Sequence, residues 1–168
     1  MTQHEYDVVT QYRNLGGNLK FLSANNFFRK ITLHGDVMTR VAQWRDLRHP
    51  EAALIGVQYR ANDRGQHRGA WIVTAPGANV LFGGAPVEEF GSGGIEIDAT
   101  TEDSPKSVRV LAQIPNLYGP GFTAEMTYYE TPVGAKVFAA GAFSLADSVW
   151  EQAVNTLMTN LWRHLSTP

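Results

Sequence analysis

A chain of 168 residues with 43% hydrophobic and 18% charged side chains is long enough for one buried core, short for two, and too apolar to be disordered throughout, so a single domain over residues 1–168 is expected. Its formal net charge is −2, with Lys and Arg spread from Arg13 to Arg163; the basic footprint of a nucleic-acid binder is missing, and nucleic acid is not an expected partner. There is no cysteine, which excludes a thiol nucleophile, disulfides, thiolate zinc and iron–sulfur clusters.

Residues 4–15 place Val8, Tyr12 and Leu15 at helical spacing, and Gly16-Gly17 follows where a C-terminal cap favours positive φ; a helix ending at Gly16 is predicted, with those three residues as its apolar face. Asn18 to Ala24 then reads as a short strand before the turn residues Asn25-Asn26. A helix followed by a strand belongs in a parallel sheet whose preceding strand is expected before residue 1, so the chain looks truncated at its start. Phe28–Leu33 and Val37–Trp44 are predicted extended segments about the turn His34-Gly35-Asp36. The polar stretch Asn62–Gly69 reads as a surface loop before a strand at Ala70–Thr74.

Glycines at 83, 84, 91, 93 and 94 punctuate short runs such as Val80-Leu81-Phe82 and Ile95-Glu96-Ile97-Asp98, which predicts turns and close backbone approach rather than a helix. Val108–Ile114 reads as a strand. Glu125–Glu130 and Ala135–Ala140, joined by Thr131-Pro132-Val133-Gly134, read as a hairpin with one ring of Tyr128-Tyr129 on each face. From Val149 to Leu165 apolar pairs recur every four residues; this predicts a helix lying on the sheet, with a capping box formed by Ser148 and Glu151.

Few constellations carry chemistry. His4-Glu5-Tyr6 offers three groups able to bind a metal or move a proton, against the ordinary occurrence of polar residues at a helix start. Glu96 and Asp98 alternate with Ile95 and Ile97, so they share a strand face that is either a carboxylate pair for metal or acid–base work or a solvated edge. The Ser23-Ala24-Asn25 turn lacks a G-x-S-x-G context, the five histidines lack ligand spacing, and the glycine pairs lack a phosphate-loop context. No stretch approaches the roughly 20 apolar residues that span a bilayer, and Met1–Asp7 is polar where a secretory signal would be basic and then apolar. A cytoplasmic protein without membrane contact is expected.

Five phrases in order along nearly the whole chain resemble one family: HEY at 4–6, GGNLKFLSANN at 16–26, WRD at 44–46 with LIGVQY at 54–59, GGIEID at 93–98, and TPVGAKVFAAGAFS at 131–144. They resemble the C-terminal region of the large (beta) subunit of N,N-dimethylformamidase. The resemblance implies a three-layer α/β fold of the class I glutamine amidotransferase (flavodoxin-like) kind, incomplete here at its N-terminus, with an amphipathic C-terminal helix. It also implies a mononuclear iron held by two tyrosines and a glutamate, acting as Lewis acid and water activator in hydrolysis of a small amide. By the same resemblance Tyr6 and Glu96 match one tyrosine ligand and the glutamate; the other tyrosine is expected upstream of HEY. No residue is assigned as general base.

Two functions follow as expectations. One is part of an amidohydrolase-like iron enzyme, hydrolysing a small amide with a missing ligand from an upstream segment or another chain. The other is a catalytically silent α/β module acting in subunit assembly. Absent upstream strands lead in either case to the expectation of a homo-oligomer or a partner subunit.

Overall fold

The computed structural model describes residues 1–75, 78 and 81–167. The order is α1 (Gln3–Asn14), β1 (Leu19–Phe21), β2 (Arg29–His34), β3 (Val37–Gln43), a 3-10 turn (Trp44–Leu47), α2 (Glu51–Ile55), β4 (Gln58–Asn62), β5 (Arg68–Val73), β6 (Glu89–Ala99), β7 (Arg109–Ile114), β8 (Ala124–Glu130), β9 (Lys136–Ala139), β10 (Ala142–Phe143), a 3-10 turn (Ala146–Ser148) and α3 (Gln152–Leu165). Eight strands form one mixed sheet in the order β1-β9-β8-β7-β5-β6-β10, with β4 paired to β6; β2 and β3 form a separate hairpin. The fold class is mixed α/β with a mostly sheet core and a C-terminal helix.

The predicted parallel sheet is present only at β1–β9; every other pairing among the described residues is antiparallel. For β2–β3, β7–β8 and β8–β9 a short connection explains this, because two strands joined by a tight turn must run antiparallel. The β8–β9 hairpin closes as predicted, with Glu130 opposite Lys136. Its two tyrosines point to opposite faces. Tyr128 Oη lies 2.7 Å from His164 Nε2 on α3, whereas Tyr129 Oη donates to the Leu54 carbonyl of α2 at 2.6 Å and accepts from Arg13 of α1 at 3.1 Å. Helices therefore cover both faces of the sheet.

One apolar cluster lies under α3 and includes Trp71, Phe90, Ile97, Met126, Phe138, Val154, Leu157 and Leu161. A smaller one under α1 and α2 includes Tyr6, Phe27, Trp44, Leu54 and Ile55. The sequence-based view of α1 is corrected here: Val8, Tyr12 and Leu15 are 48%, 54% and 78% exposed, and Tyr6 is the residue that α1 buries. A capping box does occur, but at α1, where the Thr2 hydroxyl accepts from Glu5 N–H and the Glu5 carboxylate accepts from Thr2 N–H at 2.6 Å. The one expected at Ser148 and Glu151 does not form, because α3 begins at Gln152 and Glu151 turns away to accept from Gly91 N–H at 3.1 Å. The Asn62–Gly69 loop is shorter than predicted, since β4 runs to Asn62 and β5 starts at Arg68. Glycines 91, 93 and 94 lie inside strand β6 rather than in turns. Gly83 and Gly84 do turn, with positive φ. Val80 lies outside the described residues.

At the far end of α3, Tyr128 also donates to Glu130 at 2.5 Å, and Arg109 lies 5.3 Å from the Tyr128 ring centroid. These side chains, with Leu81, Leu111 and Asn160, line a cavity of about 380 Å³. Burial and the neighbouring Lys136 and Arg109 lower the His164 pKa against the opposing pull of Glu130.

Because Leu157 is 1% exposed and Trp150 is 92% exposed, Leu157→Ala should lower the unfolding free energy by about 2–5 kcal/mol in a urea titration, while Trp150→Ala should change it by less than about 0.5 kcal/mol. The His164 shift has a sign to test. A depressed pKa means that the unfolded chain binds the extra proton more readily, so this contribution is full above the ordinary histidine value and is lost as pH falls below about 6.5. His164→Gln should therefore flatten the acid limb of unfolding free energy against pH, whereas an unchanged limb would show that His164 has no part in it.

Candidate functional site

β6 carries both carboxylates of the GGIEID phrase through the sheet interior. One edge is paired with β5 over Glu89–Gly94 and with β4 over Glu96–Ala99, and β10 pairs the other edge. Between its two partners the strand breaks step at Ile95, which stands at φ 67°. A β-branched residue in the left-handed region is strained. The adjoining Gly94 permits close approach: a Cβ there would lie 2.5 Å from the His67 carbonyl oxygen.

Asp98 is fully buried, which corrects the solvated-edge alternative: β6 is an interior strand, not an edge. Its carboxylate accepts the Asn25 N–H at 3.0 and 3.1 Å, so the turn after β1, with Asn25 at φ 55°, serves to bring a backbone donor to Asp98. Burial raises the Asp98 pKa to about 7 despite that hydrogen bond, and the negative charges of Glu51 and Glu96 push the same way while Arg45 opposes. Glu96 is half-buried and accepts from Asn62 Nδ2 at 2.7 Å, its register partner on β4.

Tyr6 sits in the smaller cluster. Its ring stacks on Trp44 at 4.4 Å and 21°, with Phe27 and His49 edge-on. Burial raises its pKa, Arg13 opposes, and Glu51 and Asp7 add to the rise. The other two residues of the HEY phrase, His4 and Glu5, are exposed, and Glu5 is occupied by the capping box. Tyr6 and Glu96 share no hydrogen bond among the described residues. The charge of Glu51 acts on both Tyr6 and Asp98.

Glu51 is 2% exposed and pairs through Oε1 with Arg45, while its Oε2 is buried without a hydrogen-bond partner. Arg45 also donates to the Tyr59 carbonyl at 3.2 Å. The Arg45 guanidinium thus pairs with Glu51, and its charge also acts on Asp98. Sequence reasoning missed Glu51, Arg45 and Tyr59. The only signal available was WRD at 44–46 and LIGVQY at 54–59, phrases that frame Glu51 without showing that it is buried. Among the described residues no group of three His, Asp or Glu side chains is arranged to hold a metal ion.

The family model described as N,N-dimethylformamidase beta subunit-like, C-terminal, matches residues 1–154. No curated protein matches the sequence. No helix among the described residues is long and apolar enough to cross a membrane.

Removing the one cation of the buried set leaves Glu51 uncompensated in a low-dielectric interior. Arg45→Ala should accordingly lower the unfolding free energy by about 3–5 kcal/mol, and the double variant Arg45→Met with Glu51→Leu should recover most of that loss in the same urea titration.

Proposed function

The chain belongs to the N,N-dimethylformamidase beta subunit-like, C-terminal family, and from that premise we propose that it is part of an amidohydrolase-like metalloenzyme that hydrolyses a small amide. The observation that carries the proposal is the match over residues 1–154, which spans both the HEY and the GGIEID phrases. We assign Tyr6 and Glu96 as ligands of a mononuclear iron. The donor chemistry is compatible, because phenolate and carboxylate oxygens are hard ligands of the kind ferric iron takes. The neighbouring Glu51 supports it further: its buried Oε2 has no partner, an oxygen left open to a cation.

When bound, iron would supply Lewis acidity toward a carbonyl oxygen and lower the pKa of a water molecule. The chain's own residues do the rest. Trp44 and Phe27 hold the Tyr6 ring in place and exclude water from it. Burial keeps the Tyr6 phenol protonated in the absence of a cation, so ligation would release a proton. Asn62 fixes one oxygen of Glu96 and leaves the other available.

The fold implied with this function is the three-layer glutamine amidotransferase-like arrangement. It is supported by helices on both sheet faces and by the parallel β1–β9 pair directly after α1. The family's description as subunit-like supports work alongside a partner subunit or a second copy. The exposed Val8, Tyr12 and Leu15 of α1 would be covered in such an assembly.

Ferric tyrosinate is coloured, which makes the assignment measurable. Titration with ferric iron should give a visible charge-transfer band that saturates near one iron per chain; Tyr6→Phe should abolish it, and Glu96→Ala should weaken iron binding more than about tenfold. If iron binds both variants as it binds the parent, the ligand assignment is wrong and the assembly-module function replaces it.

A further inference from the structure

The connection between β4 and β5 arches over β6 at the strained Ile95, and it carries an aspartate–histidine pair. Asp63 N–H donates to the Ile95 carbonyl at 3.1 Å. The Asp63 carboxylate accepts from Gly65 N–H at 2.9 Å and His67 N–H at 2.6 Å, and its Oδ2 lies 2.9 Å from His67 Nδ1. Burial would raise the Asp63 carboxyl, and the hydrogen bonds from Gly65 and His67 outweigh it and bring the group below its ordinary value. An ionised carboxylate only accepts, so Nδ1 carries the proton that faces it, and in the neutral form of the ring Nε2 presents its lone pair. The His67 side chain is 59% exposed and that of Asp63 11%; the orienting group is covered and the oriented ring is open.

Beside this ring stands Tyr118, 6.3 Å centroid to centroid. Its hydroxyl is buried yet has no hydrogen-bond partner. Burial keeps the phenol protonated, and the charges of Asp63 and Glu96 reinforce this. A buried hydroxyl donor without an acceptor is costly unless something completes it. The arch thus joins the strained Ile95, through the Asp63 N–H, to an oriented imidazole with an orphan donor beside it.

We propose that His67, oriented by Asp63, and Tyr118 are the groups that contact a small carboxamide beside Glu96: Tyr118 Oη–H donates to the carbonyl oxygen, and His67 Nε2 takes a proton from the attacking water. This rests on the amide-hydrolase function above. Water oxygen bonds to the carbonyl carbon as its proton passes to Nε2; the C–N bond then breaks as the imidazolium returns that proton to the departing nitrogen. A carboxylic acid and an amine leave, and the imidazole is restored. No oxidant or reductant is consumed. Histidine in this position is worth about 10²–10⁴ in rate.

Long-range ¹H–¹⁵N NMR of the iron-free chain, with N,N-dimethylformamide as the probe, reads the geometry without depending on turnover. His67 should show a protonated Nδ1 and a bare Nε2, and its signals should shift saturably with amide; Tyr118→Phe should weaken that binding about tenfold. With iron present, His67→Gln should lower the hydrolysis rate at least about 100-fold, leave the iron band unchanged, and be partly rescued by added imidazole. A protonated Nε2, no saturable shift, or hydrolysis by His67→Gln at the parent rate would each overturn the proposal. A chain that shows the His67 response but binds no iron would overturn the ligand assignment of Tyr6 and Glu96 alone, which keeps the two failures distinguishable.

Discussion

Strand β6 has two partners laid end to end on one edge and a third along the other, and this double occupancy is the constraint on which the rest of the sheet depends. Two antiparallel partners cannot both keep continuous register along one strand, so the ladder has to break where one leaves and the next begins. The break falls at Ile95, between Gly94, paired with Arg68, and Glu96, paired with Asn62. Glycines clear the approach on the β5 side: a Cβ at Gly93 would lie 2.7 Å from Ile114 Cδ1. With both edges used, β6 runs through the interior and carries its carboxylates in with it.

Burying Asp98 and Glu51 creates electrostatic demands that bear on how the hairpin and Tyr6 are held. An interior carboxylate needs donors or a counter-charge. Asp98 receives the Asn25 N–H, and Glu51 receives Arg45. Arg45 comes from the 3-10 turn after the β2–β3 hairpin and Glu51 from the start of α2. The hairpin is thus tied to the main sheet through charge as well as through the Phe28–Tyr59 ring contact at 4.7 Å. Trp44, beside Arg45 in the chain, stacks on Tyr6. The same short segment therefore sets the countercharge for the carboxylates and the packing of the phenol.

Elements whose signal is local were legible in the sequence. The β8–β9 hairpin depends on its own Pro-Gly turn and alternation, and α3 on its own periodicity; the hairpin formed where expected and α3 over the later part of its predicted span, from Gln152. The α1 face was misread because Val8, Tyr12 and Leu15 have helical spacing but no cover among the described residues, while the buried Tyr6 projects from nearly the opposite side of the helix. The β6 carboxylates could be placed on a strand, but burial of Asp98 depends on β4 and β10, whose pairing has no sequence marker. Of the candidate site, Tyr6 and Glu96 were reached through resemblance and not through spacing. His67 and Asp63 are four apart in a polar stretch that reads as a loop, and only their closure around the β4–β5 arch shows that one orients the other.

The position of the strain bears on what the arch is for. Left-handed backbone at a β-branched residue costs on the order of 1–3 kcal/mol, and glycine at 95 would remove much of that cost while preserving the hydrogen bond from Asp63, which uses only the Ile95 carbonyl. Structural need alone therefore does not require isoleucine in that conformation. What isoleucine adds is bulk: a Cβ on the neighbouring Gly65 would lie 3.7 Å from Ile95 Cγ1, so the side chain braces the underside of the loop that holds Asp63 and His67. Backbone energy spent at Ile95 thus goes with a side chain packed against the loop that carries the Asp63–His67 pair, the condition under which an imidazole keeps one orientation.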